Sequence, residues 1–156
     1  MEGLPGCGKT TLLKKLYIAL LESNQKALYI PCYTIGTSSS LTLEEIIKTC
    51  SIGCFNNEFK EKAEIIILDG LDESPFDLTD IIFEGQNNYK KIIISARSSY
   101  VTELRKRFFN IMLAPFSAED RNTFFQKMLP SNKRMYEKAL QLFKEYPDID
   151  EKGVEK

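Results

Sequence analysis

The chain begins with a glycine-rich run that limits the folds open to it. Residues 3–11 read GLPGCGKTT, which contains the complete spacing G-x-x-x-x-G-K-[ST]. Apolar residues then recur at helical spacing over residues 10–23. A run of this kind is the turn between a buried strand and a helix. Only Met1 and Glu2 precede it, so we expect the strand before it to be missing from this chain.

The same run predicts a loop that binds the phosphates of a nucleotide. Its glycines let backbone N–H groups approach an anion closely, and the helix N-terminus adds its dipole. Lys9 is expected to reach the β- and γ-phosphates, Thr10 to ligate Mg²⁺ and Thr11 to contact the α-phosphate. The candidate nucleotide-binding residues are Gly3, Leu4, Pro5, Gly6, Cys7, Gly8, Lys9, Thr10 and Thr11.

Strands and helices alternate along most of the chain. The apolar stretches within residues 64–69 and 91–97 are continuous rather than alternating, which indicates parallel strands buried on both faces. Further strands are expected at 26–32 and 110–114, and helices at 10–23, 41–50, 77–83, 100–108, 117–129 and 132–145. The pattern predicts a three-layer α/β P-loop domain over residues 1–116, followed over 117–156 by the start of a helical domain.

Charged residues follow two of these strands, at the edge of the sheet where α/β proteins bind ligands. Asp69 ends the strand within residues 64–69 and is expected to organise Mg²⁺ together with Thr10. Asp72 and Glu73 lie one turn further on, where a carboxylate can orient the attacking water. We favour Glu73 in that role, with Asp72 assisting. Arg97 ends the next strand and is placed to distinguish a triphosphate from a diphosphate.

Composition argues against several other classes of protein. The chain has 156 residues, no histidine and a formal net charge of −1. The lack of histidine removes histidine bases and histidine metal ligands. The charge creates no field that attracts nucleic acid or a membrane, so we expect neither as a partner. The longest apolar run is too short to span a bilayer and no signal peptide is recognisable, so we expect a cytoplasmic protein.

Together these motifs resemble the NACHT family of STAND P-loop ATPases, signalling proteins that use nucleotide exchange and hydrolysis as a switch. Four stretches carry the resemblance: GLPGCGKTT at 3–11, LDGLDE at 68–73, ISARS at 94–98 and PFSAEDRNTFF at 115–125. The form LDGLDE, with a small glycine directly after the aspartate, is fairly specific to the family. The glycine-rich loop alone indicates only the superfamily.

The resemblance implies a parallel sheet of strand order 5-1-4-3-2, an ATP or ADP ligand with Mg²⁺, and self-oligomerisation in the intact protein. It also implies roles such as innate immune sensing or bacterial antiphage defence. The family's first strand, winged-helix region and sensor repeats have no counterpart here. We therefore expect a fragment that is poorly stable alone unless another segment fills the gap in the sheet.

Two other functions remain open at this point. One is an AAA+-like ATPase that acts on nucleic acid, although such proteins usually carry Asn, Ser or Thr where this chain has Arg97. The other is a truncated interaction module that no longer hydrolyses nucleotide, which the missing first strand keeps open.

Overall fold

The computed structural model describes residues 1–36, 42–50, 62–100, 102–114 and 117–128, together with Arg134, Glu137, Lys138 and Gln141. The chain forms two compact units, Met1–Leu113 and Ala114–Lys156. The described helices of the first unit are α1 (Lys9–Glu22), α2 (Leu43–Cys50) and α3 (Thr79–Gly85). Its strands are β1 (Ala27–Pro31), β2 (Ile65–Asp69) and β3 (Lys91–Ile94). In the second unit, the structure describes α4 (Ala118–Met128).

The strands form a parallel sheet with β2 in the centre. Ala27 aligns with Ile65 and Pro31 with Asp69, so β1 and β2 pair over their full lengths. On the other side, β2 pairs with β3 from Ile65 to Leu68. All residues of β2 are buried, as its continuous apolar stretch predicts, and all residues of β1 are buried too. The expected α/β fold with a parallel sheet is therefore confirmed. In β3 Lys91 is exposed and only Ile94 is buried, so the burial expected on both faces of that strand is wrong.

The two faces of the sheet pack against different helices. On one face, Tyr29 and Ile67 pack against Leu13 of α1. Since side chains alternate along a strand, Asp69 lies on the same face as Ile67. The opposite face packs against α2 and α3 in the larger core, which includes Leu28, Ile30, Ile46, Ile66, Leu68 and Ile82.

One residue before the glycine-rich loop continues the sheet beyond β3. Glu2 forms parallel bridges with Ala96 and with Met112. Its N–H donates to the carbonyl of Ile111, and its carbonyl accepts from the N–H of Leu113, both at 2.8 Å. With Glu2 in the place of the first strand and Met112 in that of the fifth, the order is 5-1-4-3-2, as expected. The place of the first strand is thus occupied by Glu2 rather than empty.

Two elements are shorter than the sequence predicts. Within residues 110–114 the only strand pairing is the bridge at Met112, because the adjacent segment of the sheet pairs with it only through Glu2. The helix expected over residues 100–108 is reduced, in its described residues, to a 3₁₀ turn at Leu104–Lys106. Arg105 in this turn donates to Glu2 and to the carbonyl of Ser98.

A pair of reciprocal hydrogen bonds caps the start of α2. The hydroxyl of Thr42 accepts from the N–H of Glu45 at 3.2 Å, while the Glu45 carboxylate accepts from the N–H of Thr42 at 2.9 Å. This reciprocal capping box satisfies donors that the start of a helix otherwise leaves unpaired.

In the second unit, Ser117 caps α4 through a reciprocal pair of hydrogen bonds with Asp120 at 3.1 and 3.2 Å. The helix predicted over 132–145 lies largely outside the described residues, although Arg134, Glu137, Lys138 and Gln141 are helical. The assignment of residues 117–156 to a separate helical domain stays a prediction. No helix in the described part of the chain is long and apolar enough to cross a membrane.

Candidate functional site

The glycine-rich loop connects Glu2 to the first turn of α1. Gly6 and Gly8 have φ angles of 77° and 92°, in the left-handed region that favours glycine. Gly8 is also the N-cap of α1, which has no side-chain cap and no acidic residue in its first turn. The N–H groups of that turn are therefore open to an anion without a competing carboxylate.

The ammonium group of Lys9 lies against the loop itself. Its Nζ donates to the carbonyls of Gly3 at 2.8 Å and Leu4 at 3.0 Å. Cys7 contributes a longer contact of 3.9 Å between its Sγ and the same Nζ. The only formal positive charge of the loop is thus held at the N-terminal end of α1, where the helix dipole also favours an anion.

Asp69 is a buried carboxylate with a hydroxyl donor on each oxygen. Its side chain is 5% exposed. Tyr29 donates to Oδ2, and Ser95 donates to Oδ1 at 2.5 Å. Burial and, second, the hydrogen bond to Asp69 raise the pKa of Tyr29 far above its usual range, so the phenol stays a donor at neutral pH. These bonds supply the partners that a buried carboxylate requires.

The turn after Asp69 is anchored to the end of the neighbouring strand. Gly70 has a φ of 73°, and its N–H donates to the hydroxyl of Ser95 at 2.8 Å. The N–H of Leu71 donates to the carbonyl of Ser95, also at 2.8 Å. A Cβ on Gly70 would lie 3.0 Å from the carboxylate of Glu73. A glycine here therefore allows both the backbone conformation and the close approach of Glu73.

The two acidic residues of this turn have different surroundings. Asp72 accepts from the backbone N–H of Arg97 at 2.9 Å and pairs with its Nε at 3.0 Å. Glu73 is exposed, and none of the described residues forms a hydrogen bond or ion pair with its carboxylate. Asp72 is thus engaged with Arg97, whereas Glu73 is free to interact with a bound molecule.

The predicted site residues meet in one cleft of about 350 Å³ at the carboxyl ends of the strands. It combines the glycine-rich loop, the start of α1, the end of β2 and the residues after β3. Its lining consists of Pro5, Gly6, Gly8, Lys9, Thr10, Thr11, Asp69, Gly70, Asp72, Glu73, Ser95 and Arg97. Gly3, Leu4 and Cys7 complete the loop without lining the cleft.

The oxygen donors in the cleft suit Mg²⁺. The hydroxyl of Thr10 and the carboxylate of Asp69 both line the cleft, and both are hard oxygen donors. In the described part of the chain, no group of three or more His, Cys, Asp or Glu side chains is arranged to hold a metal. Mg²⁺ usually binds through one or two carboxylates together with substrate phosphates, and Asp69 would supply one such carboxylate.

Sequence reasoning missed a polar cluster behind the loop. Glu2 is 1% exposed, and its carboxylate accepts from Arg105 and from Asn110. The hydrogen bond from Arg105 is the main cause that lowers the pKa of Glu2, and the bond from Asn110 acts in the same direction against the effect of burial. Sequence reasoning also missed Tyr29 and Ser95 as partners of Asp69. The only signal for them is Asp69 itself, because a carboxylate at the end of a buried strand requires hydrogen-bond donors.

Comparison with known proteins identifies the family. The family model of the NACHT domain matches residues 1–132, which is most of the chain and includes every candidate site residue. The chain therefore belongs to the NACHT family and carries its nucleotide-binding NTPase domain. No curated protein matches the chain.

Proposed function

We propose that this NACHT domain is a Mg²⁺-dependent ATP switch that hydrolyses ATP to ADP in a cytoplasmic signalling or defence protein. The observation that carries the proposal is the single cleft that combines the phosphate loop with Asp69, Glu73 and Arg97. Preference for adenine, the signalling or defence role and self-oligomerisation of the intact protein rest on the family resemblance.

In this proposal the loop binds the phosphates and Lys9 contacts the β- and γ-phosphates. The open first turn of α1 adds N–H donors and its dipole. Thr10 and Asp69 hold Mg²⁺, which neutralises charge on the phosphate oxygens when bound. The ammonium of Lys9 donates to two carbonyls of the same loop, which keeps its charge beside the proposed phosphate site.

Glu73 is the proposed general base. The oxygen of a water molecule attacks the γ-phosphorus while the bond from phosphorus to the β–γ bridging oxygen breaks. Glu73 orients the water and accepts its proton, for which its unpaired carboxylate in the cleft is suited. Asp72 is less suited, because its carboxylate is ion-paired with the guanidinium of Arg97 and also accepts from the Arg97 backbone N–H.

Arg97 is the proposed sensor of the γ-phosphate, with Asp72 as the group that aims it. Asp72 pairs with Nε of the guanidinium, and the two terminal nitrogens form no hydrogen bond with any described residue. A guanidinium fixed at Nε presents its outer edge as a fork for phosphate oxygens. The assisting role of Asp72 is therefore proposed to be positional.

The proposal is tested by separating binding from hydrolysis. Glu73→Gln is expected to bind ATP with Mg²⁺ as tightly as the parent chain but to release phosphate about 10²- to 10⁴-fold more slowly, because the base is lost. Calorimetry measures binding, and single-turnover phosphate release measures hydrolysis. Lys9→Ala provides the control for lost binding.

Glu84→Gln is the matched control for the charge change, since Glu84 is exposed and lies outside the cleft. It should hydrolyse ATP at the parental rate. Parental hydrolysis by Glu73→Gln would contradict the base assignment. Absence of ATP binding by the parent chain would contradict the proposed function itself and favour an interaction module.

A further inference from the structure

Asp69 receives its hydrogen bonds from two residues that belong to different strands. Tyr29 lies in β1, and Ser95 follows β3 directly. The two donors therefore reach the carboxylate from opposite sides of β2, one on each oxygen. Each oxygen keeps a further lone pair, because a carboxylate oxygen accepts more than one bond.

The sheet register explains why Tyr29 reaches this position. Tyr29 aligns with Ile67, two residues before Asp69, so the two side chains lie on the same face. Tyr29 is 3% exposed, and its ring packs against that of Tyr17 in α1 with a centroid separation of 5.7 Å. The packed ring directs its hydroxyl along the sheet to Oδ2 of the carboxylate.

Ser95 connects the carboxylate to the turn that carries Glu73. Its hydroxyl donates to Oδ1 of Asp69 and accepts from the N–H of Gly70. Its carbonyl accepts from the N–H of Leu71. One residue thereby fixes both an oxygen of Asp69 and the backbone that follows it.

Orientation matters because the terminal torsion of an aspartate is broad and roughly two-fold. Burial alone leaves the carboxylate plane undefined, whereas two donors on opposite oxygens define it. We propose that Tyr29 and Ser95 are positioning residues whose hydroxyls set the plane of Asp69 for Mg²⁺, an inference that rests on the proposed function. Both hydroxyls donate to the carboxylate of Asp69, so both residues act through Asp69.

The test measures the contribution of Mg²⁺ to ATP binding by the full chain. Calorimetric titrations with ATP are run in Mg²⁺ and in EDTA, and the ratio of the two dissociation constants is compared between variants. Tyr29→Phe is expected to reduce this ratio by about 10- to 100-fold, the usual effect of removing an outer partner of a metal ligand. Its affinity for ATP in EDTA should match that of the parent, because the lost hydroxyl acts only through the metal ligand.

Tyr17→Phe is the matched control. It removes the same hydroxyl from the ring beside Tyr29, and the Tyr17 hydroxyl forms no hydrogen bond with any described residue. It should leave the ratio unchanged. If Tyr29→Phe does not fold, Ser95→Ala replaces it and should show the same loss confined to Mg²⁺.

The possible outcomes separate this inference from the proposed function. If the ATP affinity of the parent chain is the same in Mg²⁺ and in EDTA, both the proposed function and the positioning roles are overturned. A parent chain that responds to Mg²⁺, with folded variants that respond equally well, overturns only the positioning roles. Equal losses in Mg²⁺ and in EDTA also overturn them, because such a result describes general damage to the fold.

Discussion

The two halves of the cleft are supported in different ways. The acidic half, formed by Asp69, Asp72 and Glu73, lies at the end of β2, a wholly buried strand that is paired on both sides. The loop half, formed by the glycine-rich loop, directly follows Glu2. This single residue is held by two bridges and by polar contacts with Arg105 and Asn110. The acidic half therefore depends on the apolar core of the whole unit, whereas the loop half depends on a few polar contacts that can open locally.

The largest effect should come from the centre of the sheet. Ile66→Ala removes a fully buried side chain and is expected to lower the free energy of unfolding by about 2–5 kcal/mol. Ile111→Ala makes the same change beside Glu2, where the side chain is 53% exposed, and should cost less than about 1 kcal/mol. Urea unfolding followed by circular dichroism measures both. Equal losses of unfolding free energy would show that the region beside Glu2 is as well packed as the centre of the sheet.

A smaller but more selective effect is expected from Glu2→Leu. Arg105 keeps access to solvent because its side chain is 43% exposed, so its charge is not stranded when Glu2 is removed. We expect a loss of about 1.5–3 kcal/mol, the range for hydrogen bonds to charged groups, and weaker ATP binding because the loop loses its support. Unfolding and calorimetric titration measure the two effects.

Glu103→Leu is the control for that change. Glu103 forms an exposed pair with Lys106 in the same turn as Arg105, and its loss should cost between about 0 and 1 kcal/mol. ATP affinity should remain parental in this control. If the two variants bound ATP equally well, the polar cluster at Glu2 would have no role in supporting the loop.

The smallest effect is expected from the acid dependence of the same contact. The pKa of Glu2 is lower in the folded chain than its ordinary value of 4.5, chiefly because Arg105 donates to the carboxylate. Its stabilisation is therefore fully present above about pH 5 and is lost as the pH falls below 4.5 towards the folded pKa. The difference in unfolding free energy between the parent and Glu2→Gln should be constant from pH 7 to 5 and shrink below. A constant difference down to pH 3 would contradict the assignment.

Much of the better supported half could be predicted from the sequence. Continuous apolar runs identify β2 and β3, and the aspartate at the end of β2 locates the acidic end of the cleft. The capping boxes at Thr42 and Ser117 also follow from local sequence, because a reciprocal cap involves residues only three apart. Such features are decided by neighbours along the chain.

The supports of the site could not be predicted in the same way. Tyr29 and Asp69 lie 40 positions apart, and only the register of β1 against β2 brings them together. Glu2 reads as an ordinary surface carboxylate, since its partner Arg105 is 103 positions away. The strand predicted over 110–114 is shortened to the bridge at Met112 for a related reason, because the length of a strand depends on how many residues its neighbour can pair with it.

The bridge between Glu2 and Ala96 has a consequence for how the length of the chain can change. Gly3 and Arg97 each follow one of the two bridged residues, so the phosphate loop and the arginine leave the sheet at the same level. Because side chains alternate along a strand, one residue inserted between Ile94 and Arg97 would turn Arg97 to the other face. Insertions and deletions should therefore be tolerated at the opposite end of the sheet, near Gln86–Asn88. They should be excluded between Ile94 and Arg97 and between Glu2 and Gly3.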